Sequence, residues 1–319
     1  MDFKPNWPSM RKTIYILFAF ALLFLCADRL SAQGFWQPTK GPYGGDIRSI
    51  AVDPNNRIFA ATSGGGVYLS TDNGASWSAK NIGLPIYFVS SLAINAAGTI
   101  FAGTLGDGMF RSTDQGETWK AINAGLTDTE VRTIAIGSSY IFVGTYTAGV
   151  YRSSDNGTTW KQVGFNESGE HVLTITVSGL RSLLVGTDIS GVFRSTNNGD
   201  NWYSSSSGLT NLCVTSMAMV NPTTFCAATY GGGVFTSADS GKSWYAYNAG
   251  LQWWDVEALA MNASGDVFAG THGWGVYRST DKGKSWQSVS MGLDNAFVQT
   301  IAFNSSGQMF AGTYGGGVY

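Results

Sequence analysis

An all-β, seven-bladed β-propeller of four-stranded blades is the fold this sequence predicts. Two observations carry the prediction. An eight-residue pattern, Ser-x-Asp-x-Gly-x-x-Trp, recurs at a nearly constant period, and each period holds four short runs of strand type. A fixed period of a few tens of residues marks a repeat architecture, and four strands in roughly 42 residues is the period of a propeller blade.

The first copy of the pattern is Ser70-Thr71-Asp72-Asn73-Gly74-Ala75-Ser76-Trp77. Five more copies place Asp114, Asp155, Asn197, Asp239 and Asp281 at the third position and Trp119, Trp160, Trp202, Trp244 and Trp286 at the last. Successive third positions lie 42, 41, 42, 42 and 42 residues apart. The second unit shows the strands best. Val89 to Ile94 alternates and reads as strand one, Ile100 to Thr104 as strand two, Met109 to Ser112 as strand three, and Trp119 opens strand four. Runs of β-branched and aromatic residues split by Gly, Asn and Asp clusters are strands joined by turns.

Seven strand-two segments, starting at Ile58, Ile100, Ile141, Leu183, Phe225, Val267 and Met309, stand against six copies of the pattern. The given sequence ends at Tyr319 inside strand three of the seventh unit, while Gly34-Phe35-Trp36-Gln37 matches a strand four. Trp36 precedes Ile47 by 11 residues, much as Trp77 precedes Val89 by 12. The N-terminal strand is therefore expected to complete the last blade, which would remove an open sheet edge. The alternative is a sequence that stops short of further blades.

Composition agrees with a packed, turn-rich protein. Hydrophobic residues make up 44% and charged residues 13%, the reverse of a disordered chain. Forty-two glycines against seven prolines indicate tight turns rather than collagen or linker. Residues 1–32 read as a secretory signal, with Arg11 and Lys12 before the apolar run Ile14 to Ala27 and Ser31-Ala32-Gln33 after it. The run falls short of the roughly 20 residues of a membrane span. Residues 33–319 then form the propeller domain. The expected location is secreted, periplasmic or cell-surface, without membrane association after cleavage. Loss of Lys4, Arg11, Lys12, Arg29, Asp2 and Asp28 from 19 basic and 21 acidic side chains leaves 15 and 19, a net charge of −4. A mildly acidic chain without a basic stripe excludes nucleic acid as a partner. Cys213 and Cys226 share one hairpin, whose register sets Cys226 near Ala218 and Cys213 near Gly231, so no disulfide is expected. Cys226 instead takes a core slot that other repeats fill with Phe or Leu.

These copies resemble the BNR or Asp-box repeat of sialidases, sortilin-type receptors, xyloglucanases and photosystem II assembly factors, over roughly residues 34–319. The resemblance implies a propeller but no particular reaction, because one fold hosts many functions. The sialidase members carry an Arg-Ile-Pro-type motif that is missing here; Arg57-Ile58-Phe59 belongs to strand two. Asp-box xyloglucanases use two large propellers, and this chain holds the residues of one. The box itself reads as structural. Its Ser and Asp side chains cap backbone N–H groups of a turn, its Gly supplies positive φ, and its Trp anchors the turn. Calcium needs about 6–8 oxygen ligands, more than a box offers. No phosphate loop, paired-Cys site or His-Glu-x-x-His motif occurs, so neither cofactor nor metal is expected. Arg111, Arg152, Arg194 and Arg278, each just before a box, read as a solvated or ion-paired outer face.

Function is sought where the copies differ. The residue after strand two is Ser63, Leu105, Tyr146, Asp188, Tyr230, His272 or Tyr314, and two further on stand Gly65, Asp107, Ala148, Ser190, Gly232, Trp274 or Gly316. The residue before strand one is Asp46, Phe88, Glu130, His171, Cys213, Asp255 or Phe297. Blades five to seven are richest, and they give the candidate ligand-binding residues Tyr230, Trp253, Trp254, Asp255, His272, Trp274 and Tyr314, with Phe297 beside them. Aromatic rings next to a carboxylate stack on sugar rings or bury a peptide side chain; packing between loops is the competing explanation. As acids, Asp107, Glu130, Asp188, Asp255 and Glu257 are the candidates. Asp255 and Glu257 could form a glycosidase pair about 5–10 Å apart, or equally a cap and an ion pair with Arg48 or Arg132. Short, near-uniform loops argue against catalysis. The first expectation is a secreted, non-catalytic binding or scaffold module for a glycan or a protein or peptide ligand. The alternatives are a glycoside hydrolase of sialidase or xyloglucanase type, and a structural part of a larger surface protein.

Overall fold

The computed structural model describes residues 35–319 apart from 43, 44, 86, 87, 166–169 and 180. Residues 1–32, which the sequence reads as a secretory signal, lie outside the described residues. The described chain is all β. It folds into seven antiparallel sheets, six of four strands and one of three, each wound in sequence order. Blade one comprises Ile47–Val52, Ile58–Thr62, Gly66–Ser70 and Ser78–Ala79. The later blades begin at Val89, Val131, Val172, Val214, Val256 and Val298. The innermost strands pack one on the next around the ring, and that of blade seven, Val298–Phe303, returns to that of blade one. Seven radial sheets closed in a ring make the seven-bladed propeller that the repeat predicted.

Strands one to three of the second unit fall where the alternation put them, at Val89–Ile94, Ile100–Thr104 and Met109–Ser112. Strand four differs. It starts after Trp119 and holds only Lys120–Ala121, both exposed. All six outermost strands are this short, which leaves little free edge for another chain to pair with.

The core is divided into seven layers, each between two neighbouring blades. Strand two of blade one is fully buried along its length, as a strand covered on both faces requires. Its second position supplies the main filler: Phe59, Phe101, Phe142, Leu184, Cys226, Phe268 and Phe310. Cys226 therefore sits in the slot expected of it. It pairs in register with Ala218, both cysteines are free, and burial pushes the Cys226 thiol up to about 11.

The Asp box works as a reciprocal cap. In the first copy the Ser70 hydroxyl accepts the Gly74 N–H at 2.8 Å and donates to Asp72 at 2.8 Å. The Asp72 carboxylate accepts the Ser76 N–H at 2.8 Å and its hydroxyl at 2.5 Å. Gly74 has φ +87° and Asn73 before it φ +56°, so two consecutive residues are left-handed and Gly takes the second without strain. Asn197 caps the same way, accepting the Asn201 N–H at 2.9 Å.

Five of the six box Trp residues tie their blade to the preceding one. The indole N–H groups of Trp119, Trp160, Trp202, Trp244 and Trp286 donate to carbonyls of Lys80, Ile122, Val163, Ser205 and Tyr247, each three residues past the previous box Trp. Trp36 follows the same rule by donating to Val289 O at 2.7 Å. It is 2% exposed and part of the layer between blades six and seven.

The predicted closure is thus present but incomplete. The Thr39 N–H donates to Val318 O at 2.9 Å, as Lys80 donates to Val67 O in blade one. Yet residues 35–40 form no assigned strand, and blade seven has three. The indole of Trp77, which by the rule would reach Thr39 O, is buried without a hydrogen-bond partner.

Candidate functional site

The channel at the centre of the ring has a volume of about 360 Å³ and is lined by strand-one residues of all seven blades. Most of the lining is small and polar: Ser49, Ser91, Thr133, Thr174, Ser216 and Thr300 occupy one level. Two of these hydroxyls serve the scaffold, since Ser49 accepts the Leu92 N–H and Ser216 the Leu259 N–H across blade boundaries at 3.1 Å.

Around the mouth, on the side of the strand 2–3 and strand 4–1 connections, the charges are paired. Arg48 meets Asp46 at 2.8 Å and Arg132 lies 3.9 Å from Glu130. The Nδ1 of His171 lies 2.5 Å from Asp188, and that of His272 3.2 Å from Glu257. Burial raises the Asp46 carboxyl, outweighing Arg48. On blades three and four Tyr146 stacks on His171 at 3.7 Å with Arg132 4.7 Å above its ring, so these aromatic faces are already covered.

Blades five to seven are different. Trp253 and Trp274 lie parallel, with 6.2 Å between centroids and 16° between planes, and they are 41% and 47% exposed. The Trp253 indole donates to Asp255 at 3.0 Å, which holds the ring over the loop. His272 meets Tyr230 and Phe297 edge-on at 6.1 and 4.9 Å. Trp254 is 52% exposed, and its carbonyl accepts the Gly231 and Gly233 N–H groups. Tyr314, also exposed, joins Phe297 through a backbone hydrogen bond. The candidate residues thus share one face, in two clusters: Trp253, Trp274 and Asp255, then Tyr230, His272 and Phe297. Trp254 and Tyr314 border them without a ring contact of their own.

A positional signal in the sequence sharpens this. Trp253 stands where other blades carry Asp128, Asn211 and Asn295. Those three are loop clamps. Asn211 accepts the Cys213 N–H and donates to Tyr230 O, and Asn295 does the same with Phe297 and Tyr314. Asp128 accepts the Glu130, Thr147 and Ala148 N–H groups; burial opposes its charge, but these bonds hold its carboxyl below the usual range. Opposite the Asn clamps stand Gly232 and Gly316, where a Cβ would come within 2.6 Å of the Asn Cβ. Blade six replaces this tight Asn–Gly pair by Trp253 and Trp274. A clamp has been exchanged for two exposed indoles, which no packing requirement of the ring explains.

The acids are committed elsewhere. Asp255 holds Trp253, Glu257 faces His272, and neither pairs with Arg48 or Arg132 as the sequence had suggested. Burial, with Asp188 and Glu257 nearby, pushes the Cys213 thiol up, away from nucleophilic chemistry at neutral pH. Among the described residues, no three His, Cys, Asp or Glu side chains are placed to hold a metal ion, and no helix is long and apolar enough to cross a membrane.

Comparison with known proteins agrees with the fold. The BNR/Asp-box repeat model matches residues 110–121. No curated protein matches the sequence significantly. Among solved structures, YCF48 from Cyanidioschyzon merolae superposes with a TM-score of 0.71 at 15% identity, covering 89% of this chain and 97% of that one. The extracellular domain of the BT4673 two-component system of B. thetaiotaomicron gives 0.73 at 18% identity, covering 90% of this chain and 39% of that one. An ancestral GH74 enzyme gives 0.74 at 20% identity, covering 88% and 45%. The chain therefore spans less than half of the latter two, and at such identities the likeness speaks for architecture and not for chemistry. The repeated capping turns, the ring of seven blades and the match at residues 110–121 together describe a seven-bladed β-propeller that carries BNR/Asp-box repeats.

Proposed function

We propose that the chain is an exported, non-catalytic binding module that holds a glycan or peptide on the loop face of blades five to seven. The exposed, parallel pair Trp253 and Trp274 carries the proposal. Large aromatic rings left in water at the centre of a polar rim are the usual anchors of a ligand site. The paired carboxylates around the mouth supply polar contacts and leave no acid free of a partner in the aromatic cluster. Support for a peptide comes from YCF48, which has been solved bound to D1 peptide. Support for a sugar comes from the flat apolar faces of two indoles beside Asp255.

The test is a ligand screen with glycan and peptide arrays, followed by the double variant Trp253→Asn with Trp274→Gly. These changes install the Asn–Gly pair of blades five and seven. Loss of binding of at least about tenfold with an unchanged melting curve is expected. Binding that survives the double variant would remove the site. Release of reducing sugar that disappears in Asp255→Ala would replace the proposal with a hydrolase.

A further inference from the structure

Charge in blades five to seven is divided between the rim and the loop face. From Ser205 to Tyr319 the basic side chains are Lys242, Arg278, Lys282 and Lys284. All belong to the rim: the three lysines stand in Asp boxes, and Arg278 turns to Asp266 at 2.5 Å. The loop face of the same stretch carries Asp255, Glu257 and Asp294, and neither lysine nor arginine. The guanidinium of Arg48, in blade one, is already taken by Asp46 at 2.8 Å.

These carboxylates stand among the exposed rings. Asp255 joins the two aromatic clusters. Its Oδ2 accepts the Trp253 indole, its carbonyl accepts the His272 N–H at 2.9 Å, and its backbone bridges to Tyr230. Its Oδ1 accepts no hydrogen bond among the described residues. Glu257 lies beyond His272, 3.2 Å from its Nδ1, and Asp294 is exposed. The field they create reaches Cys213: after burial, it is Asp188 and Glu257 that raise its thiol, and no cation opposes them.

The face of an indole is electron-rich and attracts a cation within about 6 Å of its centre. A guanidinium is planar, stacks on such a ring and forks onto a carboxylate. Resting on the reading of this face as the ligand site, we propose that its ligand is a peptide whose arginine side chain stacks on the Trp253–Trp274 pair and reaches Asp255. Glu257 and Asp294 add a field of the same sign that steers the cation in. The aromatic surface extends to Tyr230, Phe297 and Tyr314 across three blades, more than one side chain covers, so the rest of the peptide lies along it. A neutral sugar gains nothing from the net charge of this face, and an acidic peptide is repelled by it.

The probe is a short fluorescent Gly-Ser peptide with a central Arg-Arg pair, titrated into the protein and followed by anisotropy. Saturable binding is expected. It should weaken about tenfold when citrulline, which has the shape of arginine without its charge, replaces both arginines. Asp255→Asn keeps an acceptor for the Trp253 indole but loses the charge, and should weaken binding by a similar factor with an unchanged melting curve. Glu117→Gln, an equal change of charge at the rim, should leave binding as it was. Equal binding of the citrulline peptide, binding undiminished in Asp255→Asn, or the same loss in Glu117→Gln would each overturn the proposal. So would no binding of the arginine peptide at about millimolar concentration; a neutral glycan that binds and is lost in the double variant Trp253→Asn with Trp274→Gly would then show that the ligand site itself stands. Arginine-peptide binding that survives this double variant would remove the site and the proposal together.

Discussion

The rim and the loop face of this propeller are built from the same seven units but obey opposite rules. At the rim, six boxes repeat one set of capping contacts, and five of their six indoles reach the equivalent carbonyl of the preceding blade. On the face, equivalent positions hold Gly, Asp, Ala, Ser or Trp. Positions that pack alike in every blade vary little, whereas loops outside the packed layers are free to diverge. Repetition within one chain thus separates what holds the ring from what the ring presents.

The largest effect expected is at the rim. Trp160 is 5% exposed and its indole donates to Ile122 O, so Trp160→Ala should cost about 3–5 kcal/mol. A melting curve like the wild type would contradict the anchoring role. Trp36→Ala tests whether the closure obeys the rim rule. Since Trp36 is as buried as the box indoles, a cost within about 1 kcal/mol of that for Trp160 is expected, and a negligible one would show that the ring holds without its N-terminal segment. On the face, Trp254→Ala should shift stability by less than about 0.5 kcal/mol while weakening ligand binding. Unfolding by this change would erase the distinction between the two regions.

Acid should weaken the boxes of the rim. The carboxyls of Asp114, Asp155, Asp239 and Asp281 are held at about 2. For Asp114 and Asp155 the first cause is the hydroxyl of Thr118 or Thr159; for Asp239 and Asp281 slight burial opposes, and hydrogen bonds from Ser243 and Ser285 prevail. Because the folded values lie below the ordinary 3.8, the stability they add is present above that pH and is lost as pH falls towards 2. Melting temperature should decline across that window, and less so in a protein with Asn at all four positions, since Asn197 already caps without titrating. The smallest contrast is between two indoles. Trp119→Phe gives up a hydrogen bond worth about 1 kcal/mol, while Trp77→Phe removes only an unpartnered N–H and should cost less. Equal costs would show that indole donation does not bind blade to blade.

Much of this was legible in the sequence because the repeat is strong. Strand two could be placed to within a residue, since its buried Ile-Phe-Ala-Gly-Thr type of run ends in the same Thr in every unit. Strand four could not: the Trp that marks it points into the layer between blades and only the two residues after it pair. The aromatic face was found from composition at variable positions. Its strongest sign was missed, because recognising Trp253 as a replaced clamp requires knowing that Asn211 and Asn295 bridge their loops. The partners of Asp255 and Glu257 were also beyond reach, since a side chain of the same loop and one of the next hairpin lie at similar sequence distances from the two acids.

The unpartnered Trp77 indole gives the molecule a direction. Six latches fasten each sheet to its predecessor, and the seventh, between first and last, does not engage. Thermal opening should therefore begin there, as a lock washer spreads at its split, and amide exchange in residues 35–42 and along Gly66–Ser70 should outpace the same elements elsewhere in the ring.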